Sequence, residues 1–146
     1  MIILKYPHNT LRQISEPVEC FDQELRFFIE EMKDLCFKEG GAGLSAVQVG
    51  RPQRILIYAL DGNMDRFGSM VNPVINHMST DKMEEMREGC LSVPDKQVTI
   101  KRSTSIYIKF QDGRGKTIVK KMSGLKAVIV QHEIDHLNGK LIVDYE

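Results

Sequence analysis

The stretch Ser123-Gly124-Leu125-Lys126-Ala127-Val128-Ile129-Val130-Gln131-His132-Glu133-Ile134-Asp135-His136-Leu137-Asn138-Gly139 governs the reading of this chain. Leu125, Ala127, Val128, Ile129, Val130, Ile134 and Leu137 lie on nearly every side of a helical wheel. A helix that is apolar all round is buried. The pattern therefore predicts a buried helix over about 124–138, with Ser123 as N-cap and Gly139 as its stop. Within it His132 and His136 stand four residues apart, slightly more than one turn, so both imidazoles leave from the same face. Buried imidazoles and a buried carboxylate need partners. A divalent metal held by both rings, with Glu133 beside a metal-activated water, satisfies all three groups, and this is the H-E-x-x-H pattern.

Upstream, Asp22 to Gly40 reads as an amphipathic helix, over about 22–39. Leu25, Phe28, Ile29, Met32, Leu35 and Cys36 keep the helical period, Asp22 is the N-cap and Gly40 or Gly41 the stop. Strands are expected over Arg54–Leu60, Met70–Asn76, Gln97–Lys101 and Thr104–Gln111. A turn at Asp112–Gly115 returns the chain as Lys116–Met122, and Leu141–Val143 reads as a short closing strand. A run of strands followed by one late helix makes the expected class α+β, with antiparallel sheets packed around the buried helix. The 146 residues fit one catalytic domain, 1–146.

Lys plus Arg balance Asp plus Glu at 20 each, which gives no electrostatic footprint for sequence-specific nucleic-acid binding. No apolar run reaches membrane-spanning length, and the opening Met1–Leu4 is too short for a signal-peptide core, so a cytoplasmic protein is expected. Three cysteines, Cys20, Cys36 and Cys90, argue against a disulfide framework.

The third metal ligand must come from upstream. The position where a downstream histidine would extend the motif is Ile142, and the sole acid of glutamate type after His136 is the terminal Glu146. Cys20, Cys36, Cys90, His8, His77 and the acidic residues are candidates. Cys36 sits on an apolar helix face, Cys20 has no ligand-like neighbour, and His8 and His77 lie in polar loops. Cys90 lies in Glu88-Gly89-Cys90-Leu91-Ser92-Val93-Pro94, where Gly89 allows close approach or positive φ and Pro94 stiffens the exit. This favours Cys90. A metallopeptidase with the same helix, and a non-catalytic metal-stabilised module that binds peptide N-termini, stay open on the residues alone.

Gly41-Ala42-Gly43-Leu44-Ser45-Ala46-Val47-Gln48, Glu88-Gly89-Cys90-Leu91-Ser92 and Gln131-His132-Glu133-Ile134-Asp135-His136 occur in the order found in the peptide deformylases. Tyr6-Pro7, Leu11-Arg12 and Pro17-Val18 also match that family's opening. The chain thus resembles the family over nearly its whole length. It departs at Ala42, usually a branched aliphatic residue, and at Ser45, usually Ala. It also ends soon after Asp144-Tyr145, where many bacterial members continue into a C-terminal helix used in ribosome docking. Short forms of this kind occur among phage-encoded members. The glycine segment also fits G-x-G-x-x-[GA], with Asp61 at a suitable distance, but a dinucleotide fingerprint follows an apolar strand and this one follows a charged helix.

The resemblance implies hydrolysis of the N-formyl group from N-formylmethionyl nascent polypeptides, releasing formate. It implies Cys90, His132 and His136 as ligands of one divalent metal, Fe²⁺ in many members, with Zn²⁺ or Ni²⁺ in its place in preparations. Glu133 would transfer protons, and the Gln48 side chain and Leu91 N–H would stabilise the oxyanion. For the substrate, the resemblance implies that Glu88 braces the glycine loops and that Arg102 contacts the peptide backbone. Val128 and Ile129 stand about one turn before His132 and are candidates to line a methionine pocket, while Gly43 leaves room for the formyl-methionine backbone.

Overall fold

The structure, a computed structural model, describes residues 1–60 and 63–146. Asp61 of the dinucleotide pattern lies outside the described residues. Its glycine segment leads from a helix into a short strand and a 3-10 turn, Ala46–Val49, which is not the strand-to-helix turn that pattern needs.

Two α-helices, α1 (Gln23–Lys38) and α2 (Leu125–Leu137), flank a sheet built from β1 (Gly43–Ser45), β2 (Ile55–Leu60), β3 (Asn63–Met78), β6 (Ser105–Gln111) and β7 (Thr117–Ser123). Its order is β1-β2-β3-β6-β7, with every neighbouring pair antiparallel. A separate two-stranded sheet pairs β4 (Met83–Cys90) with β5 (Val93–Ser103). This is the expected α+β class.

β2 explains why one apolar run sits at the centre. Ile55 and Ile57 pack with Leu25, Phe28, Ile29 and Met32 of α1 on one face. Leu56 and Tyr58 pack with Ala127, Ile129, Val130 and Leu137 of α2 on the other. A strand covered on both faces has no polar alternation. The helix α2 is buried between this sheet and the β4–β5 hairpin, as its all-round apolar sequence requires. α1 is capped as expected, Asp22 Oδ1 accepting from Leu25 N at 2.9 Å.

Several boundaries differ from expectation. Ser123 does not cap α2. It is the last residue of β7, paired with Ser105, so its backbone belongs to the ladder, and Gly124 makes the abrupt turn at φ +71°. Leu141–Val143 is not a strand. Asp144 accepts from Leu141 N at 2.9 Å and pairs with Arg12, which tightens Ile142–Tyr145 into a 3-10 turn. β4 has no signature in the sequence because Met83–Cys90 is mostly exposed and lacks apolar alternation. β3 and β5 run well beyond the expected Met70–Asn76 and Gln97–Lys101; the β5 extension ends on buried Arg102 and Ser103, polar residues that give no apolar alternation to read.

Candidate metal centre

α2 delivers three side chains to one point. The His132 and His136 rings meet edge to face, centroids 5.1 Å apart. The end of β4 brings Cys90 alongside, its Sγ 3.3 Å from His136 Nε2. The ligating atoms of Cys90, His132 and His136 all lie within 4.8 Å of one another. One tetrahedral ion with metal–sulfur and metal–nitrogen bonds of ordinary length would separate sulfur and nitrogen by about 3.5 Å, so this donor set fits a single ion. The other candidates lie elsewhere. Cys36 is buried on α1, where burial and the charge of Glu133 push its thiol up to about 12. Cys20 is exposed beside Asp22, His8 accepts from Thr10 N, and His77 lies tilted against exposed Tyr107.

Glu88 fixes the tautomer of His132. Its Oε1 lies 2.8 Å from His132 Nδ1. A carboxylate only accepts, so Nδ1 carries the proton and Nε2 keeps its lone pair for an ion. Two guanidinium nitrogens of Arg102 donate to Glu88, Nη2 at 3.0 Å from Oε1 and Nε to Oε2. Burial opposes the Glu88 charge, but the hydrogen bonds from His132 and Arg102 hold its carboxyl below the usual range. Burial likewise opposes charge on His132, yet with no ion bound Glu133, Cys90 and Glu88 carry its pKa up to about 10, and an ion would take the place of that second proton on Nε2. The same negative surroundings favour a bound cation. Burial, then the charges of His132 and Arg102, keep His136 neutral, as a ligand must be.

Glu133 is buried above the ligands. Its Oε2 is 3.8 Å from His132 Nε2, and its Oε1 accepts from Ser45 Oγ at 2.9 Å. Burial pushes its carboxyl up, against the pull of His132 and the Ser45 hydroxyl. Gln48 is held by its carbonyl: Oε1 accepts from Ser45 N at 2.8 Å. Its Nε2 therefore points to Ser92 Oγ at 3.0 Å and Cys90 Sγ at 3.8 Å.

A cavity of about 560 Å³ opens over these groups. Gly43, Gln48, Glu88, Cys90, Leu91, Val128, Ile129, His132 and Glu133 all line it. Arg102 does not. It is 5% exposed, and its Nη1 donates to Asp135 Oδ2 at 3.0 Å, so its charge is spent behind Glu88 rather than on a peptide backbone. Gly89 also differs from its reading: its φ is not positive and an added Cβ would meet nothing within 4 Å. It lies where the β4–β5 register shifts between Glu88 and Cys90. Gly43 has a sharper role than open space, because a Cβ there would stand 2.6 Å from Glu133 Oε2.

Four residues at or behind the site were not assigned from sequence. Ser45 and Ser92 stand inside the quoted motifs, so their hydroxyls were visible but their targets were not. Lys5 lines the cavity and donates to Leu91 O at 2.8 Å. Tyr145 donates to Asp135 Oδ2 at 2.7 Å and closes the chain of contacts through Arg102 and Glu88 to His132.

A model of the polypeptide deformylase family matches residues 1–145. The peptide deformylase of Helicobacter hepaticus is 41% identical over 150 residues, covering 99% of this chain and 82% of that protein. That of Brucella suis is 42% identical over 147 residues, with the same coverage of each. The crystal structure of the Thermotoga maritima peptide deformylase superposes with a TM-score of 0.93 at 36% identity, covering 98% of this chain and 95% of that one. With the H-E-x-x-H helix, the converging cysteine and these whole-chain matches together, the chain belongs to the peptide deformylase family.

Proposed function

We propose that Cys90, His132 and His136 hold one divalent ion, with Glu133, Gln48 and the Leu91 N–H acting around it, as this deformylase removes the N-formyl group from nascent peptides. The observation that supports the reading most strongly is the convergence of sulfur and imidazole, 3.3 Å apart, from two separate elements at the floor of one cavity. When bound, the ion supplies a Lewis acid for the formyl carbonyl and lowers the pKa of water toward neutrality. Glu133 takes the proton of the attacking water and returns it to the amine nitrogen as the C–N bond breaks, which releases formate and a free α-amine. The amide N–H of Gln48 and the backbone N–H of Leu91 donate to the oxyanion as it develops. Each such donor is worth about 10²–10³ in rate.

Val128 and Ile129 face the cavity and take the methionine side chain. Glu88 braces His132 and Arg102 braces Glu88, so Arg102 acts on the metal site from behind and not on substrate. The thiolate favours a borderline-soft ion. Fe²⁺ is the working metal in this reading, with Zn²⁺ or Ni²⁺ able to replace it. In this reading residues 1–146 act as one catalytic unit on N-formylmethionyl chains as they leave the ribosome, in the cytoplasm. No helix among the described residues is long and apolar enough to cross a membrane.

Glu133→Ala tests the mechanism. The variant should keep its metal, by elemental analysis, and lose formate release from formyl-Met-Ala by at least about 10²-fold. Turnover equal to wild type would defeat the assignment.

A further inference from the structure

Ser45 is fully buried at the end of β1 and makes contacts that reach both polar groups of the reaction. Its N–H donates to Gln48 Oε1 at 2.8 Å. Its hydroxyl lies 2.9 Å from Glu133 Oε1 and 2.9 Å from the Glu133 backbone oxygen, 88 residues away in sequence. A hydroxyl has one hydrogen for these two acceptors. Glu133 O lies inside α2, at a position whose carbonyl accepts from the helix ladder. The carboxylate has no such partner, and a charge-assisted bond is the stronger of the two. The hydroxyl is therefore spent on Oε1.

The two carboxylate oxygens of Glu133 are consequently unlike. Oε1 is tied to Ser45. Oε2 lies over Gly43, where an added Cβ would approach to 2.6 Å, and 3.8 Å from His132 Nε2. Oε2 is thus the oxygen beside a ligand nitrogen, on a residue that lines the cavity. We propose that Ser45 is a positioning residue that pins Glu133 through Oε1, so that Oε2 alone takes the proton from water and hands it to the amine. An alanine at this position keeps the backbone N–H for Gln48 but has nothing to offer Oε1. The serine is therefore a feature of this chain's site beyond the H-E-x-x-H pattern. Its hydroxyl removes a rotational freedom of Glu133 that would otherwise have to be frozen in the transition state.

This inference rests on Glu133 as the proton-transfer group, and the experiment separates the two. Formate release is measured for wild type, Ser45→Ala, Ser45→Cys, Glu133→Ala and the double variant Ser45→Ala/Glu133→Ala, each with metal content and melting temperature. Ser45→Ala should lower kcat about tenfold with KM and metal content unchanged. Ser45→Cys fills the same space with a weak donor and should show the same loss. In the Glu133→Ala background Ser45→Ala should change the residual rate no further. Wild-type kcat in either single variant would overturn the inference. So would a loss confined to KM or to metal content, or a further fall in the double variant, since each would mark a packing role. If Glu133→Ala itself turns over normally, the reading of Glu133 fails first.

Discussion

Gly43 carries a prediction whose size follows from one contact. It sits in the extended backbone of β1, and its φ is not in the left-handed region, so alanine is conformationally acceptable there. The perturbation is then purely steric. The new methyl would stand 2.6 Å from Glu133 Oε2 and 3.0 Å from its Cδ and Cγ, whereas ordinary contact begins at 3.4 Å. The carboxylate must retreat by about 0.8 Å, since neither α2, locked by Ala127, Val130 and Leu137 in the core, nor the paired β1 moves as easily. That retreat also strains the Ser45 bond to Oε1. A displacement near 1 Å of a reacting group costs about 10²-fold in rate, or about 2.7 kcal/mol of barrier. Gly43→Ala should therefore lose about two decades in kcat for formyl-Met-Ala hydrolysis while keeping its metal and most of its thermal stability. A wild-type kcat refutes the reasoning. So does a loss wholly in KM, which would return Gly43 to the simpler role of leaving space for the substrate backbone.

Cys90→Ala should purify with little metal, whereas Cys36→Ala should keep wild-type metal content and lose about 1 kcal/mol of stability from its buried site; elemental analysis and thermal denaturation read both. Glu88→Gln weakens the grip on His132 Nδ1 and leaves Arg102 facing a neutral partner, so chelator competition should show metal affinity reduced about 10–100-fold. The acid limb of stability should involve Asp144, whose carboxyl the Arg12 guanidinium holds below its usual range. A depressed folded pKa stabilises the protein above the unfolded value, about 3.9, and that contribution disappears as pH falls through the lower folded value. The Arg12 and Asp144 side chains are 43% and 31% exposed, so solvent screening limits the term to about 1 kcal/mol. Asp144→Asn should lower the melting temperature at pH 7 and lose that deficit by pH 2.

What the sequence disclosed is what repeats locally. His132 and His136 are four residues apart on one helix, so their convergence needs no knowledge of the rest of the chain. α1 was legible from Asp22 and its apolar period, and β2 from an uninterrupted run that only a doubly covered strand can use. Ser123 misled because a residue of N-cap type was already committed to the ladder opposite Ser105. Arg102 misled because its distance in sequence from Cys90 says nothing about which way its side chain leaves β5. Inward, it meets two carboxylates, Glu88 and Asp135, that no local pattern connects. Ser45 was visible as a departure from the family, but the oxygen it reaches lies 88 residues away.

The hidden part of the site has a common cause. Cys90 arrives on a two-stranded hairpin whose own apolar support is small: Val93, Val98, Ile100 and Ile142 form a cluster apart from both main cores. Cys90 packs against that cluster and Leu91 against the core under α1, but so small an apolar contact sets the sulfur's place only in part. Polar contacts do the rest. Glu88 binds His132 from the same strand that carries Cys90, Ser92 accepts from Gln48, and Leu91 O accepts from Lys5. Each contact joins residues more than forty positions apart. The chain therefore builds a rigid helix for two ligands from hydrophobic pattern, with Glu88 orienting the ring of one of them. It positions the third through a network of buried hydrogen bonds, whose geometry is strict in space and almost silent in sequence. The ligand most exposed to mutation at a distance is accordingly Cys90: a change at Gln48 or Lys5 acts on the metal through the sulfur's position, whereas a change at Glu88 acts through His132 as well.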